Sequence, residues 1–547
     1  MSRKVDEGSG HHVPSSARIG RQDHFQKVLS FHELYFISLS GMIGSAWLFG
    51  SLYGAAAAGP ASIISWLLGG LFVIFIALTW AEIGGMLPAT GAVVRAPQYA
   101  HGYFTGFYFG WTYFMSAVII PAVEAVAIIT YADAFVQGLL SNGNLTFQGY
   151  LLSVAVLVMT FLLNSYGVKL FARLNTGITW LKILVPSITV ILTLLFLYPP
   201  NFSAFGGFAP NGVLPILSAV GTAGIVYAYM GFRAALDYSG EARNPTRDVP
   251  RAVILAVLTT IVLYTFLQTA FIGGLRWNAS GLTPGDWSDL SVKGSYSSAP
   301  YVQLLTILGF SLFATVLLIM AVIFPLGTTL VYSGSSARDL FALTEGGHVS
   351  TRLGDVHGRY GVPRIALLCC FLLSVFFIFA FPNWKALAAI GTATMVFTQL
   401  AGSTTLMTLR RTAPSLRRSF RLPFAKVLAP TAFAMSSIIV YWTTWPYTAF
   451  ALIAIIIGLA FYSIGKSRGV YPIGDVKHGI WIVVYSAVMI VLSYLGSFGI
   501  NYIAFPLDMI LVIVASLLAF HWGIRSGYKT EELKELLAHE ARTSSKR

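Results

Sequence analysis

The sequence predicts an all-α integral membrane protein with about fourteen transmembrane helices. Three observations carry that reading. Of the 547 residues, 56% are hydrophobic and only 10% are charged, where a soluble domain carries about a quarter charged residues. Mean hydropathy is +0.73, and the apolar residues fall in runs of the roughly 20 that a helix needs to cross a bilayer. The charges sit in short segments between those runs, so lipid is the main solvent. A net charge of +14 would suggest nucleic acid in a soluble chain. Here the basic residues lie in loops and build no continuous face, which excludes that partner.

The chain begins with a polar tail, 1–30, holding Arg3, Lys4, Arg18, Arg21 and Lys27. It has no apolar leader, so the first span is expected to act as the insertion signal. The apolar runs follow at 31–58, 62–87, 104–138, 149–168, 174–198, 213–240, 250–275, 302–335, 364–381, 384–409, 425–443, 446–464, 478–497 and 503–524. A tail, 525–547, closes the chain with a short soluble helix around EELKELLAHEA. Cys369 and Cys370 are adjacent and alone, which excludes a disulfide framework and a four-cysteine metal site.

Basic residues set the orientation. With the N-terminus cytoplasmic, the outside loops hold only Arg276, Lys293 and Lys385, while Lys182 and Arg233 fall inside spans; 35 less these five leaves 30 on the cytoplasmic side. Both termini are therefore expected in the cytoplasm of a multi-pass plasma (inner) membrane protein. The largest outside loop, about 276–300, is too small for an ectodomain or a fused enzyme.

Two spans are interrupted. The first carries SLSGMIGSAWLFG, with Gly41, Gly44 and Gly50; the sixth carries GTAGIVYAYMGF, with Gly221, Gly224 and Gly231. Glycine weakens a helix by about 1 kcal/mol, and free backbone groups are tolerated at membrane depth only where they face protein or a cavity. Paired interruptions at the first and sixth positions point to a transporter core of two inverted five-helix repeats. That core would be 31–410, with halves 31–198 and 213–410, followed by four further helices over 411–524. Free N–H groups at a half-helix start suit a carboxylate, and unwound carbonyls suit an ammonium. The alternative for these glycines is close helix packing, which is favoured for Gly69, Gly70, Gly84 and Gly85 in the second span.

GMIGSAWLFG resembles the first-helix motif of the amino acid–polyamine–organocation (APC) superfamily. AEIGGMLPATG resembles the end of its second helix, YAYMGFRAALDYSGEARNPTRDVPRA its sixth helix and following loop, and SSARDLFAL and LRRTAPSLRRSFRLP the loops after helices eight and ten. The resemblance covers roughly residues 30–465 in order and implies the ten-helix core. By it, the backbone around Met42, Ile43, Gly44, Ser45 and Ala46 would hold a substrate carboxylate, with Gly231 at the matching sixth-helix break. The carbonyls of Met42, Tyr227 and Met230 would meet an ammonium. Ala46, GAVVRAP and Arg233 depart from the family pattern; Arg233 stands where a glutamate is common.

Ionisable residues inside spans are functional candidates. Lys182, about eight residues into the fifth run, matches a lysine that in proton-coupled relatives takes the place of a bound sodium ion; a lysine withheld from water can exchange protons at biological pH. Glu124 in the third span and Arg233 either pair with each other or line the pocket, where a guanidinium offers a bidentate fork to a carboxylate. Glu82, near the end of the second span, is expected to make a structural or gating contact with a basic loop residue. Asp508 reads as interfacial and Asp133 as near the outer surface.

These expectations add up to a secondary active transporter of amino acids, coupled to protons, favouring acidic or small neutral substrates and working by alternating access in the lipid bilayer. An ion-independent exchanger is the alternative within that class; a channel or a transporter-like sensor is the alternative outside it. No nucleophile–base or paired-histidine motif argues for an enzyme, and no cofactor or metal is expected beyond the coupling proton.

Overall fold

A computed structural model describes residues 27–87, 92–133, 135–141, 144–166, 168–293, 296, 299–345, 348–358, 360–381, 383–467 and 475–544. The first 26 residues of the expected tail and the end of AEIGGMLPATG lie outside this set.

The described chain is helical apart from one short antiparallel hairpin, Leu140–Ser141 with Asn144–Leu145. Its first half runs α1 (Phe31–Met42), α2 (Ala46–Ala58), α3 (Ser62–Met86), α4 (Ala92–His101), α5 (Tyr103–Ala132), α6 (Phe147–Ser165) and α7 (Val168–Leu194). The second half runs α8 (Val213–Thr222), α9 (Ile225–Tyr229), α10 (Ala234–Asp237), α11 (Pro245–Gly274), α12 (Pro300–Ile307), α13 (Ser311–Glu345), α14 (Arg364–Ala380) and α15 (Trp384–Thr412). Four more long helices follow, α16 (Ala425–Trp442), α17 (Tyr447–Ser467), α18 (Val476–Leu495) and α19 (Leu507–Ser526), then the short α20 (Glu531–Ser544).

Among the described residues, ten helical runs are long and apolar enough to cross a membrane, and the bent pair α8 with α9–α10 makes eleven. The difference from fourteen apolar runs has local causes. α2 and α3 join through the 3-10 turn Gly59–Ala61 into one run of 41 residues, and α14 and the apolar part of α17 are short. Three helix boundaries differ from the apolar runs. The run 302–335 divides into α12 and α13, because Gly309 takes φ +90° between them where the hydropathy continues unbroken. The helix of the fifth span begins at Val168, so Lys182 stands fourteen residues into it, although its membrane-long apolar run begins at Asn175, next to the expected 174. The third ends at Ala132, where Asp133 turns the chain by accepting the N–H groups of Leu139 and Leu140.

Burial separates a centre from a perimeter. In α5 and α15, 94% of the apolar window is buried inside the protein, against 28% in α6 and 39% in α18 and α19. The perimeter helices turn apolar stripes outward at helical spacing: Ile365, Leu368, Leu372, Phe376 and Phe379 on α14, and Leu507, Ile510, Val514 and Leu518 on α19. Apolar surface this continuous is solvated by lipid in a multi-pass membrane protein. The most extensive helix pairings are α3 with α11 and α5 with α13.

Candidate functional site

The first span breaks where the sequence places its glycines. α1 ends at Met42, Ile43 closes it by donating its N–H to Leu39, Gly44 folds back onto the Met42 carbonyl at 3.0 Å, and α2 starts at Ala46. Ser45, at the N-terminal edge of α2, keeps its N–H free of the helix and donates it to Glu124 Oε2 at 2.8 Å. This is the favourable pairing of a carboxylate with a helix N-terminus. The sixth span breaks at Ala223–Gly224, with Gly224 left-handed at φ +80° and the two arms bent by 48°. From α9 the Tyr227 hydroxyl donates to Glu124 Oε1 at 3.2 Å. Glu124, wholly buried in the last third of α5, therefore binds both breaks.

Lys182, also wholly buried, donates from Nζ to the Ser40 carbonyl at 2.7 Å and to Thr328 Oγ1 on α13 at 2.9 Å. The Thr328 hydroxyl donates to the same Ser40 carbonyl at 2.8 Å. Gly44 lies between the two charged groups. A Cβ there would stand 2.8 Å from both Glu124 Oε1 and Thr328 Oγ1. Met42 presents its carbonyl to the Tyr264 hydroxyl of α11 at 2.8 Å. The Trp384 indole of α15 donates to Ser45 Oγ at 2.8 Å, and Phe49 and Tyr53 stack on its ring at 4.8 and 5.9 Å between centroids. Ile43, Ala46 and Met230 are buried beside these groups.

Gly231, expected at the substrate, packs against the first span: a Cβ on it would fall 2.3 Å from the Gly41 carbonyl carbon and the Met42 nitrogen. The two interrupted spans thus touch backbone to backbone. Arg233 does not pair with Glu124 and turns away from it. The 3-10 turn Met230–Arg233 carries its guanidinium towards Ser116 Oγ, at 2.7 Å, and over the Tyr113 ring, at 4.1 Å from the centroid. Ser116 lies eight residues before Glu124 on α5, about 12 Å along the helix.

Glu82 meets two basic residues, Arg410 in the last turn of α15 and Arg418 in the loop after it. Its carboxylate receives Arg410 at 2.9 and 2.5 Å, pairs with Arg418 at 3.3 Å and accepts the Leu422 N–H at 2.7 Å. Asp508, in the first turn of α19, is buried inside the protein, accepting from the Tyr441 hydroxyl at 2.5 Å and the Ser497 N–H at 3.1 Å. Thr328, Tyr264 and Trp384 escaped the sequence reading because each comes from a different helix. Their only signal was a polar or aromatic group inside an otherwise apolar span. Among the described residues no group of three or more His, Cys, Asp or Glu side chains is placed to hold a metal ion.

The comparison with known proteins agrees with this geometry. A family model described as amino acid permease matches residues 29–492. The chain is 37% identical over 515 residues to the glutamate/serine transporter AimA of Bacillus subtilis (strain 168), covering 92% of this chain and 94% of that one. It is 31% identical over 517 residues to the aspartate-proton symporter of the same organism, covering 93% and 98%. With the branched-chain amino acid permease BcaP, also from B. subtilis, identity is 24% over 451 residues, covering 80% and 92%.

Proposed function

Because this chain belongs to the amino acid permease family of the APC superfamily, whose members are membrane transporters and not enzymes, we propose that it carries acidic or small neutral amino acids in symport with protons. The observation that carries the proposal is the Glu124 carboxylate held on the Ser45 N–H. That donor, at the start of a half-helix, is the group an amino acid carboxylate needs. A protein carboxylate seated there competes with the substrate. A proton arriving on Glu124 discharges it and releases Ser45 to the substrate, and departure of both restores the internal contact. The gradient then biases two conformations through their different affinity for the proton, as any coupling must.

Lys182 completes the exchange. Its ammonium is tied to the Ser40 carbonyl in the last turn of α1 and to Thr328 of α13, a position in which a cation braces the unwound segment. When the proton leaves Lys182 the brace loosens and the carrier can change its facing. The pairing of α3 with α11 and α5 with α13, each joining a span to the one five places later, supports two inverted five-helix repeats; fourteen spans with both termini cytoplasmic rest on the apolar runs and the distribution of basic residues. The substrate class is supported by the two relatives that cover nearly the whole chain, named for glutamate, serine and aspartate.

The deciding experiment is uptake of labelled glutamate, aspartate, serine and lysine into proteoliposomes, with pH and sodium gradients imposed separately. Accumulation of the first three under an inward proton gradient, without sodium, is expected. A sodium requirement, or counterflow indifferent to pH, replaces symport by another coupling. Best competition by lysine, arginine or polyamines overturns the substrate class.

A further inference from the structure

Beyond the breaks lies a second group of buried charges that the transport reading does not use. Arg233, Asp237 and Glu241 follow the sixth-span turn, and Arg338 and Asp339 face them from α13; four are wholly buried and Arg338 nearly so. Arg338 and Glu241 form an ion pair, with Arg338 Nε and Nη2 donating to Glu241 Oε1 at 2.8 and 2.6 Å, while Glu241 Oε2 has no donor among the described residues. That leaves one cation, Arg233, beside two carboxyl groups. Asp237 has a donor on each oxygen, the Tyr113 hydroxyl at 2.9 Å and the Ser335 hydroxyl. Asp339 follows Ser335 by four residues, on the same face of α13, and its carboxyl lies within hydrogen-bonding reach of Asp237. Neither Asp339 oxygen has a donor among the described residues.

Ionised, Asp339 would be a buried acceptor facing an acceptor, in a cluster of net charge −1. Like charges this close do not both ionise, and a buried charge without a partner is strongly disfavoured. A proton on Asp339 turns it from an acceptor into a donor towards Asp237 and leaves Asp237 ionised to balance Arg233. We propose that Asp237 and Asp339 form a second proton-binding site, which latches the inner arm of the sixth span to α13 when loaded. The proton comes from water and returns to it, with no other bond made or broken. The groups facing Asp339 are Arg233, Asp237 and Tyr238 from the sixth span and the residues after it, Tyr113 from α5, Cys370 from α14 and Arg338 from its own helix. With the proton present, the latch ties α10 to α13; without it, the two carboxylates repel and the arm is freed.

The inference does not rest on symport at Glu124, because its test reads the resting protein. Infrared spectra of the full chain in lipid vesicles, sodium-free and near neutral pH, should contain a protonated-carboxyl C=O stretch that persists in Glu124→Gln. The band should vanish in Asp339→Asn and also in Asp237→Asn, since either change leaves a single carboxylate to match Arg233. A band unchanged in both variants, or no such band in the Glu124→Gln protein, overturns the proposal. Loss of the band on adding sodium at fixed pH overturns it in favour of a metal-cation site. If one Asn variant does not fold, the other decides; if neither folds, the Glu124→Gln spectrum decides alone, the presence of the band supporting the site and its absence rejecting it.

Discussion

At the scale of single residues the centre of the molecule is set by crowding around Gly44 and by three fully buried ionisable side chains. Gly44 is required by space: a Cβ would meet a carboxylate and a hydroxyl at 2.8 Å, shorter than any ordinary carbon contact. Gly44→Leu should abolish substrate binding in a scintillation-proximity assay while the protein stays monodisperse; undiminished affinity would remove the break as the site. Lys182→Ala should lose uptake driven by a pH gradient and keep substrate exchange, because it removes the brace on Ser40 and Thr328 without touching Ser45. Continued accumulation with an unchanged pH dependence would exclude Lys182 from coupling. Glu82 is buried in ion pairs with Arg410 and Arg418. Removing one partner of a buried ion pair costs about 3–5 kcal/mol, so Glu82→Gln should lower the thermal unfolding midpoint by several degrees. Substrate affinity in the surviving folded fraction should be unaltered.

At the scale of elements, legibility followed how local the cause was. The breaks in the first and sixth spans were readable because glycine and serine inside an apolar run announce themselves, and each break forms within a few residues of its signal. The division of α12 from α13 was not, since apolar residues continue on both sides of Gly309 and only its left-handed φ ends the helix. The partner of Arg233 was hidden for a different reason. A 3-10 turn winds more tightly than an α-helix, so a helical wheel drawn through Met230–Arg233 aims the side chain at the wrong neighbour. Thr328, Tyr264 and Trp384 reach the breaks from helices far along the chain, and nothing local ties them to one another. The lipid-facing stripe of α14 makes its own prediction. Leu372 stands at its middle, and a lysine at the centre of a membrane helix is disfavoured by about 2.5–3.5 kcal/mol. Leu372→Lys should sharply lower the membrane-inserted yield, measured by fluorescence of a fused reporter, whereas Leu372→Ile should not.

At the scale of the whole molecule, a chain that is 10% charged folds around two central helices and gives its perimeter to lipid. Its basic residues gather at one set of loop ends, which sets the expected sidedness. In a cysteine-free background, a cysteine at Ser288, exposed in the largest outside loop, should react with an impermeant maleimide added to intact cells. One at Ser415, exposed in the arginine-rich loop after α15, should react only after the membrane is opened. The reverse pattern would invert the topology. The contact of Gly231 with Gly41 and Met42 carries the last consequence. Two main chains that meet with no side chain between them have no cushion to compress, so neither broken span can tilt without dragging the other. They share a bearing. Motion begun in one reaches the other without slack, and Gly231→Ala, a single methyl group, would be a wedge driven into the joint.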